Sequence, residues 1–140
     1  MKLDWISEAE PRWDADKARI VGGAPPGAFA LGPFAIGDSL PGTWWRVGGE
    51  GRVMGYGWMD QTWNGAEILL AVDPSGSRAG VGTYILDRLE HEAAARGLNY
   101  MFNVVRPTHP DRAKTTAWLE SRGFHGSEGE LRRRVRSRLV

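Results

Sequence analysis

A chain of 140 residues, 41% hydrophobic and 25% charged, has the length and composition of one soluble domain and can bury a sizeable core. Cysteine is absent, which excludes disulfides, thiolate metal sites and a cysteine nucleophile. The net charge of +1 hides an asymmetry: residues 1–70 carry six Lys/Arg against nine Asp/Glu, and residues 71–140 carry twelve against eight. No segment approaches the ~20 apolar residues of a membrane span, and no apolar run follows Met1-Lys2, so a cytoplasmic protein with no membrane partner is expected.

In chain order, Lys2 to Ser7 reads as a first strand. Pro11 to Val21 reads as a helix, with Pro near its start and Gly22-Gly23 ending it. Ala24 to Gly42, rich in Gly and Pro, reads as a broken helix or an ordered loop. Strands are predicted over about 43–48, 52–60 and 66–73, linked by Gly turns and by Asn64-Gly65, a hairpin signal. Val81, Ile85, Leu89 and Ala93 recur at i, i+4 spacing and predict a helix from Val81 to Arg96 that stops at Gly97. A strand over 99–105, a helix over about 111–122 and a hairpin over about 124–136 complete the chain. Leu131 to Arg136 reads as an exposed, charged edge strand running into a solvated tail, which guards against edge-to-edge aggregation. Nucleic-acid contact is a minor reading of these arginines, because the aromatic residues lie elsewhere.

The most informative stretch is Val72-Asp73-Pro74-Ser75-Gly76-Ser77-Arg78-Ala79-Gly80-Val81-Gly82-Thr83. It joins the apolar strand Ala66 to Val72 to a helix. A Gly-rich turn there presents free backbone N–H groups at the positive end of the helix dipole, which suits a phosphate or pyrophosphate. Gly80 and Gly82 lack the Cβ atoms that would hold a ligand off the backbone. A P-loop needs a Lys that is missing, and a dinucleotide fingerprint needs a third Gly where Ile85 stands. The run instead resembles the acyl-CoA loop of the GNAT acetyltransferase superfamily, V-x-P-x-x-[RQ]-x-x-G-x-G, with Val72, Pro74, Gly80 and Gly82 in register. Ser77 stands at the position usually held by Arg or Gln, and Arg78 follows it. Further matches are Trp44 to Met59 as the family's second and third strands, Asn99 to Val105 as its fifth, and Ala117 to Phe124 as the helix ending in Gly-Phe.

The resemblance implies one acyl-CoA N-acyltransferase-like domain over 1–140. Residues 1–42 would form an acceptor-side strand, helix and loop, 43–136 the core, and 137–140 a tail. It implies an α/β fold with a central mixed, mostly antiparallel sheet of six to seven strands flanked by helices, strands 4 and 5 splaying around the cofactor. Acetyl-CoA is the implied cosubstrate. Pantetheine would lie along Leu70, Ala71 and Val72, and Ser77, Arg78, Ala79, Gly80, Val81, Gly82 and Thr83 would wrap the pyrophosphate. A homodimer is common in the family, and the C-terminal strand offers a route to it.

Acyl transfer from a thioester needs a neutral amine and a proton for the departing thiolate. Glu67 is the candidate base by the same resemblance, one residue out of register from the family pattern. Strand side chains alternate faces, so it reads equally as a surface or salt-bridged carboxylate unless a bulge intervenes; Asp60 is a weaker alternative. The family's leaving-group tyrosine falls on Leu119, and its helix-start Asn on Arg112. The acid is unassigned, neither Tyr56 nor Tyr84 being promoted. His109 would sit near the cofactor mouth, whereas His91 reads as solvent-facing and His125 as structural. Three dispersed histidines and no cysteine make no metal site. Trp13, Trp44, Trp45, Trp58 and Trp63 are either core or walls of an acceptor pocket, and alternation allows only one of Trp44 and Trp45 to be core. The expected function is N-acetylation of an amine on a small molecule or peptide. The alternative is a non-catalytic acyl-CoA-binding or partner-regulating module.

Overall fold

Alternating apolar residues in the first half of the chain build four consecutive antiparallel strands. A computed structural model describes residues 2–22, 34–74, 80–105, 107, 109, 111–127 and 129–136. Strand β1 (Leu3–Glu8) pairs with β2 (Thr43–Gly49), β2 with β3 (Arg52–Gln61), and β3 with β4 (Gly65–Val72). Glu50 and Gly51 close the β2–β3 turn with positive φ at both positions, as a two-residue primed hairpin demands. After β4, helix α2 (Val81–Ala95) carries the chain over the sheet to β5 (Tyr100–Val104), which is parallel to β4. Helix α3 (Arg112–Ser121), β6 (His125–Ser127) and β7 (Glu130–Arg134) follow, giving the order β1-β2-β3-β4-β5-β7-β6. The sheet is mixed and mostly antiparallel, as expected.

Each face of the sheet has its own core. On one side α2 and α3 bury Ile85, Leu89 and Leu119 against Ile68, Met101 and Leu131. Gly55 and Gly57 on β3 permit this approach: a Cβ on Gly57 would stand 3.1 Å from Ile85, and one on Gly55 2.7 Å from the Ala71 carbonyl oxygen. On the other side helix α1 (Ala15–Ile20) covers Trp44, Tyr56, Trp58 and Ala71. Both Trp44 and Trp45 are therefore buried, although they face opposite ways; alternation limits a strand to one buried face only when a single layer covers it. Trp45 stacks on Trp5 with centroids 5.4 Å apart, while Trp44 and Trp58 both donate their indole N–H to the Pro41 carbonyl oxygen. Trp13 is also core, and Trp63 is fully exposed.

Two expectations change. Helix α1 starts only at Ala15, because the Asp14 side chain caps it by accepting the Lys17 N–H. The preceding residues are extended and bonded to the segment that leads into β2, with Trp13 N–H donating to Asp38 O at 2.8 Å. The C-terminal strand β7 is not an edge: it lies between β5 and β6, and the sheet ends at β1 and β6. Two arginines of this segment serve the fold. Arg133 and Arg136 both pair with Glu90 of α2, at 2.9 and 2.8 Å, and Glu90 is buried. The edge-strand reading and the edge-to-edge dimer route fall with that placement, while Arg132 and Arg134 are exposed as expected. Residues 23–33 of the loop between α1 and β2, the centre of the phosphate turn and the last four residues lie outside the described residues.

Candidate active site

The parallel β4–β5 ladder has three rungs, Gly65–Tyr100, Ala66–Met101 and Glu67–Phe102, and then stops. Beyond it the strands part, leaving the β5-facing edge of β4 from Ile68 to Val72 without a strand partner. The Asn103 side chain reaches across and donates to the Ile68 carbonyl oxygen at 2.8 Å, marking where the gap opens. The gap is the floor of a cleft of about 630 Å³. Its walls are Leu69, Leu70 and Val72 of β4, Gly80, Gly82 and Thr83 at the start of α2, Asn103 to Val105, His109, and one face of α3. The α3 face repeats at helical spacing: Asp111, Lys114, Thr115, Trp118, Leu119 and Arg122.

Gly80 ends the phosphate turn in the left-handed region, φ 77°, and is the N-cap of α2 without a side-chain cap. The first N–H groups of α2 have no carbonyl one turn back within the helix, and Gly80, Gly82 and Thr83 at this positive end line the cleft. Gly82 faces the same space: a Cβ there would stand 3.6 Å from Trp118 and 3.9 Å from Leu70. Arg122 adds a cation, its Nη2 2.9 Å from Thr83 Oγ1 and its guanidinium 4.8 Å from the Trp118 ring. Free N–H groups, a lysine, an arginine and an open strand edge are donors for a long phosphorylated ligand with amide groups. An acyl-CoA fits that donor set.

Of the residues nominated from sequence, Leu70, Val72, Gly80, Gly82 and Thr83 line the cleft. The side chains of Ala71 and Val81 point into the two cores, leaving them only backbone roles. Ser77, Arg78 and Ala79 lie outside the described residues. Glu67 does not line the cleft: it occupies the last ladder rung, on the α1 side of the sheet, opposite Asp60 on β3. The β3–β4 register is unbroken, so no bulge moves it. Leu119 is buried at the cleft wall and offers no proton.

Sequence reasoning missed Asn103, Lys114, Thr115, Trp118 and Arg122 as cleft residues. The signals were a polar residue inside the apolar run from Met101 to Val105, and the three-and-four spacing along α3. His109 does reach the mouth. Its Nδ1 accepts the Asp111 N–H at 3.0 Å, which assigns the proton of the neutral ring to Nε2, 3.5 Å from Thr115 Oγ1. On the α1 side, Val21, Trp44, Tyr56, Trp58 and Leu69 to Ala71 surround a crevice of about 10 Å³, no roomier than one water. It meets the cleft at Leu69 and Leu70. Burial, with Asp14, Glu8 and Asp16 nearby, pushes the Tyr56 hydroxyl well above its usual range, so it stays protonated.

Residues 7–124 match the model of the acetyltransferase (GNAT) family. The chain belongs to that family. Among curated proteins none matches the sequence. Solved structures with the same GNAT fold include the ribosomal-protein-S18-alanine N-acetyltransferase of Escherichia coli, at TM-score 0.62 and 16% identity over 99% of this chain and 97% of that one. The N-acetylglutamate synthase of Neisseria gonorrhoeae, complexed with coenzyme A and N-acetyl-glutamate, aligns at TM-score 0.73 and 18% identity, covering 97% of this chain but 36% of the synthase. A phosphinothricin acetyltransferase of Sinorhizobium meliloti, in complex with acetyl-CoA, aligns at 0.55 and 19% identity over 67% and 61% of the two chains. No helix among the described residues is long and apolar enough to cross a membrane. No group of three or more metal-ligating side chains occurs among them either.

Proposed function

We propose that this protein transfers an acetyl group from acetyl-CoA to an amine of a small molecule or peptide, by direct attack within a ternary complex. The observation that carries the proposal is the cleft in which the open edge of β4 runs into the bare N-terminus of α2. Acetyl-CoA supplies an activated thioester. The backbone of Leu70 to Val72 holds the pantetheine amides along the strand edge, and the N–H groups of the first α2 turn hold the pyrophosphate. A thioester at the inner end of that path lies beside Leu69 and Leu70, where the cleft meets the α1 side of the sheet. Glu67 is the proposed base. It stands on that same side, one rung before the strands part, and its carboxylate takes the proton that an ammonium acceptor must shed, directly or through water. The acceptor nitrogen then bonds to the thioester carbon as the C–S bond breaks, and the thiolate leaves with a proton that no side chain is assigned to give.

Calorimetric titration with acetyl-CoA and with free CoA tests binding, and thiol release in the presence of amines tests turnover. Glu67→Gln is expected to lower kcat by about a hundredfold or more, remove the acidic limb of the pH profile and leave CoA affinity unchanged. Unaltered turnover would make Glu67 structural. A second reading, an acyl-CoA-binding module that does not catalyse, is favoured by Leu119, which puts a buried hydrocarbon where the family has a proton donor. Tight CoA binding without turnover on any amine would select it.

A further inference from the structure

A cation at the N-terminal end of a helix sits against the dipole and is disfavoured unless an anion joins it. Arg122 sits there. It closes the C-terminus of α3, yet its side chain turns to the first turn of α2 and is held by neutral groups only. Nη2 meets Thr83 Oγ1 at 2.9 Å, Nη1 meets Ser121 Oγ at 3.1 Å, and the Trp118 ring lies 4.8 Å beneath the guanidinium. Nε is buried without a hydrogen-bond partner. The first turn of α2 has no acidic residue, and no carboxylate among the described residues forms an ion pair with Arg122. Some arginines do meet a carboxylate: Arg19 meets Asp16 and Asp73, Arg46 meets Glu8, and Arg133 and Arg136 meet Glu90. An arginine locked in place by an aromatic face and a hydroxyl, aimed at free helix N–H groups and left without a counter-charge, is arranged to receive an anion.

We infer that Arg122 is a cation that binds the pyrophosphate of the acyl-CoA. Ser77 of the phosphate turn stands where the family pattern has Arg or Gln, and Arg122 brings a cation from α3 to the helical end of that turn. The contact with Thr83 favours the pyrophosphate over the terminal 3′-phosphate, because Thr83 lies in the first turn of α2, whose N–H groups have no partner within the helix. This inference rests on the reading that the cleft takes acetyl-CoA, and the experiment separates the two.

Affinities of the wild type, Arg122→Gln and Arg122→Lys are measured for CoA, dephospho-CoA and pantetheine, with thermal melts to establish that each variant is folded. Arg122→Gln keeps a donor for Thr83 while removing the charge. It is expected to weaken CoA and dephospho-CoA by about tenfold to a hundredfold and to leave pantetheine unchanged. Arg122→Lys should recover part of the loss, and it carries the test if the Gln variant does not fold. Equal losses on all three ligands, or no loss on any, would overturn the inference in favour of a packing role. A loss on CoA that spares dephospho-CoA would move the contact to the 3′-phosphate and overturn the assignment made here. Wild-type protein that binds no CoA at all would remove the acetyl-CoA reading and this one with it; wild-type binding with an indifferent Arg122→Gln would remove this one alone.

Discussion

Helix α2 meets arginines from the C-terminal part of the chain at two places, and only one of them is neutralised. In its second half, Glu90 receives Arg133 and Arg136, accepts the Arg136 N–H as well, and is fully enclosed. At its start, Arg122 bonds to Thr83 of the first turn, and no carboxylate among the described residues forms an ion pair with it. The same residue type does opposite work according to whether the chain supplies the counter-charge. Where it does, the arginine fastens the hairpin to the helix; where it does not, the arginine lines the cleft.

The largest expected effect tests the closed end. Glu90→Ala leaves Arg133, itself nearly buried, without a counter-charge, and should cost about 3–5 kcal/mol of unfolding free energy by urea denaturation. Burial alone would push the Glu90 carboxyl up, but the Arg136 hydrogen bonds and the charges of Arg133 and Arg136 hold it below the ordinary carboxylate range. A folded-state pKa below the unfolded value means that the contribution is complete above about pH 4.3 and fades as pH falls through the folded pKa. The stability gap between wild type and variant should therefore narrow in acid and hold steady through neutrality. CoA affinity of the folded variant should match wild type; a parallel loss would show that the two ends of α2 are not separable.

Next comes Gly82→Asp at the open end. The cleft has room for the Cβ, and an acidic residue in the first turn favours the helix, so the melting temperature should hold or rise slightly. The carboxylate would nonetheless face the pyrophosphate, and CoA binding should fall by about a hundredfold or more in calorimetry. Undiminished affinity would sink the assignment of the turn. The smallest effect is at Lys114, exposed on the rim: Lys114→Ala should weaken CoA by about two- to fivefold, and the difference should vanish at high salt.

Much of this was legible in the sequence because the informative signals are local. The i, i+4 repeat from Val81 to Ala93 placed α2 to within a residue, and the turn from Val72 to Gly82 announced both the anion site and the family. Glu67 was less legible. Its position in β4 was clear, but its side of the sheet depended on an unbroken β3–β4 register that no local pattern encodes. The basic run from Leu131 to Arg136 was misread for a related reason. Weak alternation and high charge describe an edge strand, yet β7 is inserted between β5 and β6, and Arg133 and Arg136 are paired with a glutamate more than forty residues earlier.

The sequence by itself determined the elements, their order and the kind of ligand the phosphate turn suits, since helix periodicity, hairpin turns and glycine at a strand–helix junction are set by neighbours along the chain. Only the tertiary structure decided where β4 and β5 part, that both Trp44 and Trp45 are buried, and which arginines meet a carboxylate. Those outcomes depend on which residues distant in sequence are brought within a few ångströms, and ion pairing, burial and strand separation are properties of that proximity.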